Sequence, residues 1–294
     1  MKRLILAMLL ETCSLVSYST NRALLVGIGM YPTSITGWKQ INGDADIKLL
    51  ASAFKARKFS DIKTLVNDKA TKSAIISELE KLKERCQEGD VVYIHFSGHG
   101  QLVYDVNGDE ESNFDESVIP YDANRTSRTI NGQYDGHNHL IDDELMPILN
   151  KIKVKIGKTG VLCLAIDACY SRGMERGEES DIDDVDVLNS PRGTDMPFRP
   201  TGNDSYLKSL PRPGHFDNGA KMYVLTACLN TERNFEYKTS KGKMYGSLSY
   251  YVYTLLKQNA DFARWANCIK NQDYKRLQLR IFQPFQHPGV EVYE

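Results

Sequence analysis

The sequence predicts an α/β domain built on a central, mostly parallel sheet with helices on both faces. Three observations predict it. Apolar runs of strand length recur along the chain, segments with apolar residues at helical spacing lie between them, and the two strongest runs both stop at small residues followed by reactive ones. Residues 23–28 (ALLVGI) read as a buried first strand, and residues 44–58 as the helix after it. Residues 62–66 make a short strand. Residues 71–86 follow as a helix with Glu and Lys on its outer face. Residues 91–96 (VVYIHF) and 161–166 (VLCLAI) are strong strands, with an acidic-headed helix over 141–152 between them. Residues 222–226 (MYVLT) form a fifth strand and 247–257 a last helix. Residues 104–139 and 171–219 are long, polar and rich in Asp, Asn, Gly and Pro. The first reads as a loop or a small excursion, the second as a mobile or cleavable linker.

The chain has 294 residues, 41% of them hydrophobic and 26% charged, as expected of one globular domain with a sizeable core. A net charge of −1 and no long basic run exclude an electrostatic footprint for nucleic acid or an anionic membrane. Six cysteines without a CxxC pair argue against a disulfide scaffold or structural zinc. Most of them read as small buried residues. Lys2 and Arg3 precede an apolar run over residues 4–10, and small residues follow at Ser17 and Ser19. This pattern reads as a signal peptide over residues 1–20, with a short amphipathic helix as the alternative. The domain then spans 21–294, secreted or periplasmic if the leader is removed and cytoplasmic if not. The run is too short to span a bilayer, and no other segment is a candidate.

Active sites of open parallel sheets gather at the carboxyl ends of the strands. One strong strand runs into Ser97-Gly98-His99-Gly100, the other into Asp167-Ala168-Cys169. If the two strands are neighbours, His99 and Cys169 share one sheet edge. A thiol beside an imidazole is the minimal equipment for acyl transfer. The glycines around His99 let a substrate backbone come close, and the amides of Gly100 and Cys169 can donate to an oxyanion. Other motifs are weaker. His137 and His139 read as surface histidines, residues 157–160 (GKTG) as a turn, and the Tyr-rich stretch 245–253 as a packed helix face.

HFSGHG at residues 95–100 and DACYSRG at 167–173 resemble the two signature motifs of metacaspases and bacterial caspase-like peptidases. Residues 23–30, 42–50, 109–122, 140–145 and 246–251 resemble further segments of that family, so the likeness runs from about residue 22 to 256. It implies a caspase-like three-layer sandwich and peptide hydrolysis, with His99 as general base and Cys169 as nucleophile. It also implies that Asp167 lines the S1 pocket and selects Arg or Lys. Asp115, Asp142 and Asp143 match acidic positions that bind activating Ca²⁺ in some members, the one cofactor the resemblance suggests; a role for Asp142 and Asp143 in stabilising a helix start is the alternative. The family's further calcium carboxylate has no clean counterpart, Arg176 standing near it between Glu175 and Glu178. Tyr170 stands where the family usually has His, Arg172 intrudes before Gly173, and Asn230 replaces an acidic residue. These departures touch the pocket rather than the dyad. The expected partners are polypeptide substrates, and the expected state of the chain is a monomer. Arg172, Arg176, Arg192, Arg199, Lys208 and Arg212 make the 171–219 linker a self-cleavage candidate. The rival readings are a non-catalytic caspase-like binding module and a peptidase of this fold with another P1 preference.

Overall fold

A computed structural model describes residues 19–170, 191–200, 218–229, 232–258 and 286–294, together with Leu207, Leu210 and Ile281. The first strand, β1 (Asn21–Gly27), is followed by a single turn, α1 (Thr33–Thr36), and by α2 (Gly43–Ala56). Then come β2 (Asp61–Val66), α3 (Lys72–Arg85), β3 (Val91–Ser97), β4 (Gly100–Tyr104) and β5 (Phe114–Val118). Two short pairs follow, β6 (Arg128–Thr129) with β7 (Gly132–Gln133), and β8 (Leu140–Ile141) against β5. The chain continues through α4 (Asp142–Ile156), β9 (Val161–Asp167), β10 (Lys221–Thr226), β11 (Glu236–Lys238), β12 (Met244–Gly246), α5 (Ser247–Lys257) and β13 (Gly289–Tyr293).

The main sheet has the order β13-β10-β9-β3-β1-β2, parallel throughout except for β13. Alternation along each strand makes two cores. Leu24, Val26, Ile94, Phe96, Leu162 and Leu164 point to one face, where Ile75 and Leu79 of α3 and Leu149 and Ile152 of α4 cover them. Leu25, Tyr93, Cys163, Ala165 and Leu225 point to the other, under Leu50 and Phe54 of α2 and Leu248, Val252 and Leu255 of α5. A strand buried on both faces reads as a continuous apolar run, which is why these strands stood out in the sequence. Thr71 begins α3 as the spacing predicts, its Oγ1 accepting from the Ala74 amide at 3.3 Å. At the amino ends of the strands Arg22 bridges Asp90 (2.7 Å) and Asp61 (2.8 Å).

The carboxyl ends carry the site. β3 and β9 are neighbours in register, Phe96 opposite Ile166 and Ser97 opposite Asp167. His99 and Cys169 therefore each lie two residues beyond one level of the sheet. Gly43 lets α2 begin over the same edge. A Cβ there would lie 2.5 Å from the carbonyl oxygens of both Ile28 and Ser97.

The excursion over residues 104–139 is a small antiparallel sheet of β4, β5 and β8. Its strands are short, and their polar residues belong to the acidic cluster described below. His139 is not at the surface. It is fully buried, between the Tyr134 hydroxyl (3.0 Å) and Gln101 Oε1 (3.0 Å), whereas His137 is exposed. Finally, the edge strand β13 follows a stretch with no strong periodicity and was not expected. The first 18 residues, and with them most of the leader-like segment, lie outside the described residues, as do Arg172, Arg176, Lys208, Arg212 and Asn230. Among the described residues no helix is long and apolar enough to cross a membrane.

Candidate active site

His99 is 3% exposed and held on every side. Its ring stacks on Trp38, with centroids 4.8 Å apart, and leans on Tyr31 at 5.0 Å. Its amide donates to the Tyr31 hydroxyl, which in turn donates to the Ile119 carbonyl. Nε2 lies 2.8 Å from the Lys39 carbonyl oxygen, an acceptor only, so Nε2 carries the proton and Nδ1 the free lone pair. Nδ1 has no hydrogen-bond partner among the described residues. Burial pushes the imidazole down to about 4, against the Lys39 bond and with help from nearby Arg192 and Arg125. The ring is thus a neutral base at physiological pH.

Cys169 is fully buried, its thiol donating to the Glu232 carbonyl at 3.2 Å. Cys228 points at the same oxygen from 3.5 Å. Contact with the Cys169 thiol, then burial, pushes the Cys228 thiol far up and leaves it protonated. Cys86 and Cys163 are also buried, as the sparse spacing suggested; Cys13 and Cys268 lie outside the described residues.

The His99 and Cys169 loops converge on one atom. The amides of Cys169 (2.9 Å) and Gly100 (3.2 Å) both donate to the carbonyl oxygen of Arg192. The Arg192 amide donates to the Asn234 carbonyl at 2.9 Å, so the residue is gripped through its backbone on both sides. Its guanidinium is completely buried in an acidic pocket. It lies 2.8 Å from Asp46 of α2 and 2.8 Å from Glu236 of β11, donates to Ser97 Oγ at 2.6 Å, and lies 3.7 Å from Asp167. One buried cation among three carboxylates is held fully charged. Burial pushes the Asp46 carboxyl up, opposed by Arg192 and assisted by Asp167.

Asp167 also faces the Arg192 guanidinium, at 3.7 Å, but its nearer partners are structural. Asn234 Nδ2, the Ser249 amide and the Ser249 hydroxyl each reach it at 2.7 Å. Ser249 then contacts His95 Nε2, and His95 Nδ1 contacts the Tyr93 hydroxyl, making a buried polar chain along the sheet edge. The closest pocket carboxylates, Asp46 and Glu236, escaped the sequence reading. Asp46 sits inside an ordinary helical stretch, and Glu236 follows a segment without periodicity; only the fold brings them together.

A second acidic group lies along β4 and β5. Single carboxylate oxygens of Asp115, Asp142 and Asp143 lie within 4.8 Å of one another, and so do those of Asp105, Asp109 and Asp115. Asp115 and Asp143 are almost fully buried, and each has an Oδ1 with no hydrogen-bond partner among the described residues. Burial, then mutual repulsion, raises Asp115 and Asp142 to about 8 and Asp143 to about 6. Buried oxygens facing one another in this way are a donor set suited to a hard cation. Asp115 faces Val103 on β4, the strand that starts at Gly100.

A parallel sheet edge presenting a buried cysteine, a tautomer-locked histidine and two converging amides defines the class: a cysteine-peptidase domain of caspase type. Comparison with known proteins gives the family. The family model for the metacaspase, peptidase C14 domain matches residues 21–175, and the chain belongs to that family. It is 30% identical over 160 residues to Metacaspase-1B of Aspergillus terreus, covering 51% of this chain and 38% of that one. It is 31% identical over 159 residues to Metacaspase-1 of Eremothecium gossypii, covering 51% and 32%. The match thus spans roughly a third of each relative's length. The crystal structure of protein GSU0716 from Geobacter sulfurreducens superposes with a TM-score of 0.62 over 93% of both chains, at 18% identity, and shares the fold.

Proposed function

We propose that this chain is a cysteine endopeptidase that hydrolyses peptide bonds after Arg or Lys. The observation that carries the reading is the seat of Arg192: a basic side chain in a pocket of Asp46, Asp167 and Glu236, with its carbonyl oxygen on the amides of Gly100 and Cys169. This is how a P1 residue must sit for a thiol to attack it. Cys169 is the nucleophile. His99 takes its proton through Nδ1 and returns it to the leaving amine. The Gly100 and Cys169 amides hold the developing oxyanion. An Arg substrate can pair with two carboxylates through one fork, whereas Lys brings a single point charge, so Arg is preferred over Lys. An acidic P1 would meet three carboxylates and be rejected.

A panel of fluorogenic peptides differing only at P1 tests this. Turnover is expected after Arg, more weakly after Lys, and not after Asp. Hydrolysis after Asp, or Arg turnover that persists in Cys169→Ala, would refute the reading. A non-catalytic module would be silent on the whole panel.

We also propose that Asp115, Asp142 and Asp143 hold an activating Ca²⁺. The unpartnered oxygens of Asp115 and Asp143 support it, and the ion would supply the positive charge that this buried group lacks. Tying Asp115 in place would steady β4 and the Gly100 amide at its start. Calcium should therefore raise the melting temperature of the wild type by several degrees, as binding to the folded state alone requires. Asp115→Asn should melt no lower than wild type without calcium, since it relieves repulsion, and should not respond to the ion. An equal calcium shift in wild type and variant, read by differential scanning fluorimetry, would remove this assignment.

A further inference from the structure

Resting on the peptidase reading above, we infer that Trp38 is a positioning residue for the reaction. Its indole face fixes the plane of the His99 ring and stabilises the imidazolium that forms when Cys169 gives up its proton.

One short stretch of chain meets His99 from two directions. Lys39 offers its carbonyl oxygen to the ring N–H, 2.8 Å from Nε2. Trp38, the residue before it, lies against the ring face, with centroids 4.8 Å apart and planes 26° from parallel. That is within the ~6 Å over which an aromatic face attracts a cation. The stretch is itself anchored. Gly37 ends α1 in the left-handed region, at φ 78°, where glycine carries no steric penalty, and its amide donates to the Thr33 carbonyl. The Trp38 amide donates to Thr36 Oγ1 at 3.4 Å, and the Ile41 amide to the Gly29 carbonyl at 3.0 Å.

Trp38 is 2% exposed, yet its Nε1 has no hydrogen-bond partner among the described residues. A buried indole usually finds one. The side chain is therefore not placed for its polar end; what it presents to His99 is its face. That face is negative, and indole is the best of the aromatic side chains at attracting a cation.

The charge that needs it appears during the reaction. Neutral His99 takes the Cys169 proton on Nδ1, which leaves a thiolate and an imidazolium. Burial opposes that cation, and so do Arg192 and Arg125, the charged groups that bear on the ring. Tyr31, packed on the ring at 5.0 Å, stays a neutral phenol because burial raises it. Two groups favour the cation: the Lys39 carbonyl through its bond to Nε2, and the indole across the ring. Lys39 contributes only a backbone atom, so Trp38 is the side chain through which the effect can be varied.

The experiment measures kcat, KM and the acid limb of kcat/KM on the best basic peptide, with Ca²⁺ present. Trp38→Leu is expected to lower kcat by about tenfold and Trp38→Phe by about threefold, with KM within about twofold of wild type. The acid limb moves to lower pH in both, because the imidazolium has lost support. A role in packing alone predicts the reverse, since water entering beside the ring would ease the burial penalty and move the limb up. A second arm replaces tryptophan throughout with 5-fluorotryptophan, which keeps the shape of the indole and weakens its face. Fluorination should slow the wild type by about twofold or more. It should leave Trp38→Phe unchanged, whose remaining tryptophan, Trp265, lies outside the described residues. This arm truncates nothing, so it decides the matter even where Trp38→Leu does not fold. A fluorinated wild type that works at full rate, or an acid limb that moves up in Trp38→Phe, overturns the role of Trp38 alone. A wild type silent on every basic peptide overturns the peptidase reading beneath it.

Discussion

Cys169→Ala is expected to abolish hydrolysis of a basic peptide, and His99→Ala to lower kcat/KM by about 10² to 10⁴. The double variant is no worse than Cys169→Ala, because a base without a nucleophile has nothing to activate. The His99 effect has a pH signature. Imidazole is normally half-protonated near 6.5; here burial takes it down to about 4 while Arg192 occupies the site. The acid limb of kcat/KM should therefore fall below 6.5, with activity lost as pH drops through it. Stability carries the same sign. The folded state favours neutral His99, a contribution fully present above 6.5 and lost as pH falls towards the folded value. His95, also pushed down to about 4 by burial, adds to it in the same window. A pH–rate profile checks the first claim, and an acid limb well above 6.5 would show that His99 is not the base. Acid unfolding of His99→Gln, which should begin at lower pH than wild type, checks the second.

Asp46→Asn is the second large effect. Asp46 lies 2.8 Å from the guanidinium in a fully buried site, and removing one partner of such a pair costs about 3–5 kcal/mol. That corresponds to a loss of roughly 10² to 10⁴ in kcat/KM for Arg substrates, seen mainly in KM. A neutral P1 of similar length should lose far less. Asp167→Asn should behave differently, although both residues line the pocket. Asp167 is 3.7 Å from the guanidinium but accepts three bonds at 2.7 Å from Asn234 and Ser249. Its replacement should lower thermal stability and kcat, because it loosens the Cys169 loop against α5. Kinetics on matched Arg and neutral substrates, together with melting temperatures, separate the two roles. Equal and purely KM-type losses in both variants would show that Asp167 is as direct a contact as Asp46.

The described positions of the reactive groups were readable in the sequence to different depths. His99 and Cys169 could be found because each ends an apolar run, and a strand buried on both faces cannot hide its pattern. The amides of Gly100 and Cys169 followed from the same two motifs. Arg192 could be seen only as one of six basic residues in a long linker; nothing local distinguishes it from Arg199. His139 read as a surface residue because its neighbours are polar, yet Phe198, some sixty positions away, closes over it. The individual strands of the small sheet of β4, β5 and β8 did not stand out in the sequence for a related reason. Short strands carrying acidic side chains lack the alternation that marks a strand.

By itself the sequence determined the layered α/β fold, the family and the two residues at the strand ends. These depend on periodicity and on contiguous motifs, which local physics writes directly into the chain. The tertiary structure alone decided which carboxylates surround the basic side chain, which nitrogen of His99 is free, and which linker bond lies on the two amides. Each of these depends on groups far apart in sequence meeting at one sheet edge: Asp46 from α2, Glu236 from β11, the Lys39 carbonyl and Phe198 of the linker. A pocket assembled from single residues of separate elements leaves no pattern in any one of them.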